Sequence, residues 1–331
     1  MRISILGAGS WGTTLAALLC KRHEVLLWTR DPSIAEEIND RHRNQVYLPG
    51  FTLPVALTAT RNLAEAAAGA QILIMGVPSH AFRGVLGEAR EHVPPWIPVV
   101  SLAKGLEHES GLRMTQLVEQ LLPGHPAAAL TGPNLAREIL AGKAAATVIA
   151  TGNETVAGLL QETFQRGLLR VYLNDDVAGC ELGGALKNVI AIAAGMAEGL
   201  GVGDNTRAAI ITRGLAELTQ LGVAMGGRAA TFAGLTGLGD LLATCLSPHS
   251  RNRHVGEQLG RGRKLDDVLA GMVMTAEGVR TTPVAVELGD RHGLELPICR
   301  TIHRVLSGEI TARDAYAGLR RFRAGTESDP W

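Results

Sequence analysis

The rhythm of apolar and polar positions along this chain changes once, near residue 176. Before that point, short unbroken apolar runs alternate with longer stretches of helical spacing. Residues 3–6 form a run closed by Gly7, and 12–20 follow with helix-like spacing. Residues 24–28 are a second run, with a helix expected from Pro32 onward. Residues 71–77, closed by Pro78, are a third run, and 98–102 a fourth; 127–130 and 145–150 are a fifth and a sixth. Apolar runs bounded by turn residues and separated by helical patterns predict βαβ units. They imply a mostly parallel sheet with helices on both faces. Beyond 176 strand signals nearly vanish, and 181–199 and 206–225 read as long apolar helices, followed by shorter ones. The chain is therefore expected to be α/β. Residues 1–176 should form a sheet domain of doubly wound type and 177–331 an all-helical domain. The polar tail, 323–331, is expected to fray.

The first apolar run ends in Gly7-Ala8-Gly9-Ser10-Trp11-Gly12, a GxGxxG string that follows a strand and opens a helix. In that context each glycine has a task. Gly7 permits the tight turn, Gly9 lets backbone approach a pyrophosphate, and Gly12 lets the helix pack on the strand. The free N–H groups at the helix start then face the negative charge of a dinucleotide. This is the signature of a Rossmann-type dinucleotide-binding domain. A glycine turn without a ligand is the plainer alternative. The second run ends at Arg30-Asp31. An acid there holds a ribose 2′-OH and favours NAD, whereas an arginine pairs with a 2′-phosphate and favours NADP. Arg30 comes first, which tilts the expectation slightly to NADPH. Asp31 could equally be the cap of the helix opened by Pro32.

Other strings lie at strand ends. Residues 76–79 (GVPS) would wall the ligand crevice. Lys104 follows the fourth run, where a cation could hold a phosphorylated substrate and polarise a carbonyl. Gly132 and Asn134 follow the fifth run and could offer backbone and amide contacts to polar substrate atoms, or be an ordinary helix-capping turn. Lys187 lies in a helix apolar on nearly every face. Burial would strip its hydration and lower its pKa, making it a usable general acid/base; snorkelling to the surface is the alternative. Gly183 and Gly184 are expected to leave space beside it. Asp240 sits in a glycine-rich turn, and Ser250-Arg251-Asn252-Arg253 opens a helix with chemistry suited to a phosphate monoester.

Composition narrows the function classes. Basic and acidic residues number 32 each, and aromatics are 4% of the chain. Neither a nucleic-acid partner nor an anionic membrane surface is supported by that balance. Apolar runs look too short to span a membrane, and the chain starts directly into a strand with no signal-peptide pattern. Four widely spaced cysteines form no metal-ligand cluster and suit reduced thiols in the cytoplasm.

Taken together, GAGSWGT (7–13), AKGLE (103–107), TGPNLARE (131–138), GGALKNVIAIAAG (183–195), GLGDLLATC (237–245) with SRNR (250–253), and AEGVRTT (276–282) resemble the bacterial NAD(P)-dependent glycerol-3-phosphate dehydrogenases, in that family's order over almost the whole chain. The resemblance implies hydride transfer between NAD(P)H and dihydroxyacetone phosphate, giving glycerol 3-phosphate for phospholipid synthesis. It implies dinucleotide contacts at Ser10, Trp11, Arg30, Lys104, Ala136, Arg251, Thr275 and Glu277. It implies substrate contacts at Lys104, Gly132, Asn134, Asp240, Ser250, Arg251 and Asn252, with Lys187 as proton acceptor in the oxidative direction. The chain departs from the family at Asn134, where Ser or Thr is usual, at Leu135, often Phe, and at Thr275, often Val. A homodimer is expected, without metal. Two rival readings remain: a related dehydrogenase acting on a hydroxy acid, sugar nucleotide or acyl-CoA, and a dinucleotide-sensing protein without catalysis.

Overall fold

The computed structural model describes residues 1–319; the expectation for 323–331 lies outside the described residues. Eight strands form one sheet: β1 (Arg2–Leu6), β2 (Glu24–Trp28), β3 (Thr58–Thr60), β4 (Ile72–Met75), β5 (Val99–Ser101), β6 (Ala127–Thr131), β7 (Ala145–Ala150) and β8 (Leu169–Asn174). Their order is 3-2-1-4-5-6-7-8, and every neighbouring pair is parallel except β6 with β7. The order reverses between β1 and β4, which makes the carboxyl ends of these two strands the topological switch point. Seven α-helices accompany the sheet among the described residues: α1 (Ser10–Leu19), α2 (Pro32–Arg41), α3 (Leu63–Ala68), α4 (Ser79–Ala89), α5 (Met114–Leu121), α6 (Ala136–Leu140) and α7 (Glu154–Phe164).

Both faces of the sheet are covered, and the sequence shows why. Alternate residues of one strand feed different cores. Ile72 and Ile74 join Leu15, Leu19, Ile34 and Ile38 of α1 and α2. Leu73 and Met75 join Phe82 and Leu86 of α4 and Leu117 and Val118 of α5. A strand buried on both faces must be apolar throughout, and each such side chain contributes about 1.5–3 kcal/mol by leaving water. The two strands that the apolar pattern does not announce are the outermost ones. β3 is Thr-Ala-Thr, three residues without an apolar run, and β8 alternates buried Leu169 and Val171 with exposed Arg170 and Tyr172.

The chain separates into two compact units, one of Met1–Glu107 and Leu112–Val177, the other of His108–Gly111 and the residues from Ala178. The second unit is helical as far as it is described. It contains α8 (Val177–Leu200), α9 (Asp204–Ala224), α10 (Ala229–Phe232), a π-helical turn at Leu235–Gly239, α11 (Asp240–Leu246), α12 (Arg251–Gly260), α13 (Leu265–Ala270), α14 (Glu277–Arg291), α15 (Pro297–Leu306) and α16 (Ala312–Leu319). The axis of this unit is α8, buried without interruption from Gly179 to Ala197. Gly195 and Gly256 bring α8 and α12 into backbone contact. A Cβ at either would overlap a carbonyl oxygen of the other helix, Arg253 O or Ile192 O. The expectation of uniformly short apolar runs is corrected here. By length and composition α8 would suffice to cross a membrane, as would Ala229–Leu246, but 89% of the most apolar window of α8 is buried inside the protein.

Candidate active site

In the sheet unit the glycine turn is built by contact with a neighbouring strand. Gly7 has φ +125°, a conformation costly for any side chain. A Cβ there would stand 2.7 Å from the carbonyl carbon of Gly76 and 2.8 Å from Val77 N. A Cβ on Gly12 would overlap the Gly7 carbonyl oxygen. Gly9, by contrast, meets nothing within 4 Å among the described residues. The turn is thus closed toward β1 and β4 and open at Gly9, at the start of α1. Backbone can approach a pyrophosphate there. Trp11 packs partly against the core, and its Nε1 is buried with no hydrogen-bond partner among the described residues. Ser10 Oγ donates to Tyr47 O at 3.1 Å. An open backbone cradle and an orphaned donor in the same turn fit a dinucleotide.

Elsewhere in this unit the outcome is mixed. Arg30 is exposed one residue beyond Thr29. Asp31 is the N-cap of α2, its Oδ1 accepting from Ser33 N at 2.9 Å and Ser33 Oγ at 2.8 Å, so the capping alternative holds for it. These bonds hold the Asp31 carboxyl below its usual pKa. Lys104 Nζ donates to the carbonyl of Gly132 at 2.7 Å, bringing two of the expected substrate contacts together. Gly132 has φ +99°. Two residues on, both polar side-chain atoms of Asn134 are buried and have no partner among the described residues. Such an amide costs about 1–3 kcal/mol if nothing partners it. Ala136 opens α6 and accepts at its carbonyl from Thr14 Oγ1 at 3.4 Å.

In the helical unit Lys187 is 4% exposed and does not snorkel. It is also not a solitary ammonium. Its Nζ donates to Asp240 Oδ1 at 2.7 Å and to Thr244 Oγ1. Thr244 in turn donates to the Asp240 carbonyl at 2.7 Å. Asp240, itself 2% exposed, opens α11 directly after the π-helical turn. The space beside Gly183 is not vacant. It admits the backbone of that turn, since a Cβ there would lie 2.9 Å from Thr236 O. Burial drives the neighbouring Cys245 thiol up to about 12, with Lys187 opposing the rise and Asp240 adding to it.

The SRNR residues divide between scaffold and surface. Ser250 caps α12, its Oγ accepting from Arg253 N at 3.2 Å. Arg253 turns to acids, with Glu257 at 3.4 Å and Glu198 at 3.7 Å. Exposed Arg251 donates through Nη1 to Thr275 O at 2.9 Å, with Glu277 close enough to act on its charge. Asn252 is buried; it donates to Asn188 Oδ1 at 2.8 Å and accepts from Gly278 N at 2.9 Å. Five residues, the expected substrate contacts Ser250, Arg251 and Asn252 and the expected cofactor contacts Thr275 and Glu277, therefore share one neighbourhood at the starts of α12 and α14. Sequence reasoning did not single out Thr244 or Asn188. Thr244 carried a usable signal, being one helical turn beyond Asp240 on the same face.

A glycine turn at the switch point of a doubly wound sheet, with a buried lysine–aspartate pair in a following helical unit, defines the class of nicotinamide-dinucleotide dehydrogenases. Comparison with known proteins makes the class specific. Residues 2–157 match the family model for the NAD-dependent glycerol-3-phosphate dehydrogenase N-terminus, and residues 176–317 that for its C-terminus. A glycerol-3-phosphate dehydrogenase [NAD(P)+] of Sphingopyxis alaskensis is 58% identical over 330 residues, covering 100% of this chain and 99% of that protein. One from Mycobacterium tuberculosis is 50% identical, covering 96% and 94%. The crystal structure of glycerol-3-phosphate dehydrogenase from Coxiella burnetii superposes with a TM-score of 0.93 at 35% identity, covering 97% and 99%. The chain belongs to the NAD-dependent glycerol-3-phosphate dehydrogenase family. It is an oxidoreductase that uses NAD or NADP.

Proposed function

We propose that this chain interconverts dihydroxyacetone phosphate and sn-glycerol 3-phosphate, with NADPH modestly preferred, and that Lys187 is its proton-transfer residue. The observation that carries the reading is the buried Lys187 ammonium held by Asp240 and Thr244. A lysine excluded from water and fixed by two partners is oriented for one proton transfer at a defined place. The cofactor, when bound, supplies or takes a hydride at the substrate carbon.

The residues of the chain do the rest. At the turn, Gly7, Gly9, Ser10, Trp11 and Gly12 hold the pyrophosphate, and Arg30 takes the 2′-phosphate. Ala136, Lys104, Arg251, Thr275 and Glu277 are further dinucleotide contacts. Lys104, Gly132 and Asn134 take polar substrate atoms. Ser250, Arg251 and Asn252 serve the phosphate end through the start of α12, and Asp240 orients Lys187. As hydride reaches the ketone carbon, Lys187 Nζ delivers a proton to the developing alkoxide; in the reverse direction it accepts that proton. The first unit is the dinucleotide-binding part and the second the catalytic part. The same reading includes a cytoplasmic homodimer feeding phospholipid synthesis, and sedimentation of the purified protein checks the dimer.

Oxidation of NADPH and of NADH, followed at a series of ketone concentrations, tests the reading. Turnover with dihydroxyacetone phosphate and not with 2-oxo acids or sugar nucleotides supports it. Tight cofactor binding with no turnover on any of them refutes it and returns the non-catalytic alternative.

A further inference from the structure

The carboxyl end of β2 carries Arg30, and the carboxyl end of the adjacent strand β3 carries Arg61. Parallel pairing sets Trp28 opposite Thr60, and Thr29 N donates to Thr60 O at 3.0 Å. The two arginines therefore follow directly on neighbouring, registered strand ends. The backbone beneath Arg61 is fixed: Trp28 Nε1 donates to the Arg61 carbonyl at 3.1 Å, and Asn62 N donates to Thr60 Oγ1 at 3.0 Å. Asn62 then caps α3 through Glu65 N at 3.1 Å. Both arginines are exposed, and neither guanidinium has a hydrogen bond or ion pair among the described residues. An open cavity of about 460 Å³ lies beside Arg61, lined also by Pro32, Asn39 and Asn62 among others. The Asn39 amide is committed to both polar groups of Ala59, at 2.8 and 2.9 Å. Glu36 on α2 is the acid of that lining.

In a doubly wound sheet the adenosine ribose rests at the end of β2, where an acid selects a 2′-OH and an arginine a 2′-phosphate. Here the acid that follows that strand end, Asp31, is engaged by Ser33. We propose that Arg61 is a second specificity-determining residue for the cofactor, its guanidinium joining that of Arg30 on the 2′-phosphate of NADP. This deepens the NADPH preference proposed above and rests on it. Two forks from adjacent strands can share the three oxygens of one phosphate monoester, each through charge-assisted hydrogen bonds. Glu36 opposes the same dianion through its charge.

The test is fluorescence titration of the full chain with NADPH and NADH, comparing wild type, Arg61→Ala, Arg61→Lys and Glu36→Gln. Arg61→Ala should weaken NADPH by about tenfold, with any change in NADH within about twofold. Arg61→Lys should recover part of the loss, and Glu36→Gln should tighten NADPH more than NADH. Inhibition by adenosine 2′,5′-bisphosphate should weaken in Arg61→Ala, and inhibition by 5′-AMP should not. An unchanged NADPH to NADH affinity ratio in Arg61→Ala, or equal loss of both cofactors, overturns the assignment of Arg61 alone. A wild-type chain that binds neither cofactor overturns the cofactor reading beneath it.

Discussion

The two units make their functional surfaces from different material. In the sheet unit the site is mostly main chain: a glycine turn wedged against Gly76, a φ of +99° at Gly132, and a carbonyl there that holds Lys104. In the helical unit it is charge: one ammonium and one carboxylate, 4% and 2% exposed, with a threonine between turns of the same helix. A main-chain site is damaged by adding atoms, and a buried ion pair by removing them. Substitutions that separate those two failure modes break or sharpen the contrast.

The largest effect is expected at Lys187. Lys187→Met keeps the length and apolar stem while deleting the ammonium proposed as proton donor, and kcat should fall by roughly 10²–10⁴-fold while NADPH still binds. The same change strands Asp240 in the interior, at a cost of about 3–5 kcal/mol. The double variant Lys187→Met with Asp240→Asn removes that stranded charge, so it should regain most of the melting temperature and none of the turnover. If turnover returned together with stability, Lys187 would be a structural residue only.

Next in size is Gly12→Ala. The added methyl has no room, because it meets the Gly7 carbonyl oxygen directly. Relieving the overlap moves α1 off β1, costing about 1–3 kcal/mol as overpacking does. NADPH affinity should fall by about tenfold or more, and Lys187 chemistry at saturating cofactor should be little changed. Gly9→Ala tests the opposite case. Its Cβ meets no protein atom, so stability should hold while cofactor binding weakens. Equal loss of stability in both variants would contradict the closed-and-open description of the turn.

The sequence carried the main-chain site better than the charged one. GxGxxG declares itself because its spacing is local: strand, turn and helix lie within twenty residues, and the physics of each glycine concerns its immediate neighbours. Fully buried strands such as Ile72–Met75 also declare themselves, through continuous apolar letters. The edge strand Leu169–Asn174 did not, since half of it faces solvent. Lys187 was legible as a charge inside an apolar helix, but its partner lies 53 residues on, and no periodicity links the two. Asp31 shows the reverse limit. The letters allowed a ribose contact or a cap, and only the Ser33 bonds decide for the cap.

Thr244 sharpens the account of the charged site. It accepts from Lys187 and donates to the main chain of Asp240, so its hydroxyl fixes the direction of the ammonium. Thr244→Val keeps the shape and removes that direction. A loss of about tenfold in kcat is expected, at nearly constant KM for NADPH, the size of one misaligned hydrogen bond. Thr244→Ser should restore most of it. A variant in which valine is as active as threonine would leave orientation to Asp240 alone.

The smallest expected effect on turnover, none at all, belongs to a variant that distinguishes two ways of burying charge within the helical unit. Glu217 on α9 is 6% exposed, like Asp240, yet it faces main chain: its oxygens accept from Ile298 N at 2.6 Å and Cys299 N at 3.1 Å, at the start of α15. Burial raises it to about 7, against the pull of those two N–H groups, the Cys299 thiol and the positive charge of Arg213. The folded chain therefore binds a proton more tightly than the unfolded one between about pH 4.5 and 7. The stability from that proton is complete below the unfolded value and is lost as pH rises through the folded one, up to about 3 kcal/mol. Glu217→Gln cannot titrate, so the melting temperature of wild type should fall relative to this variant between pH 5 and pH 8, with turnover unaffected. A difference between the two chains that stays flat with pH would mean that the main-chain donors at α15 hold the carboxylate as firmly as an ion partner does.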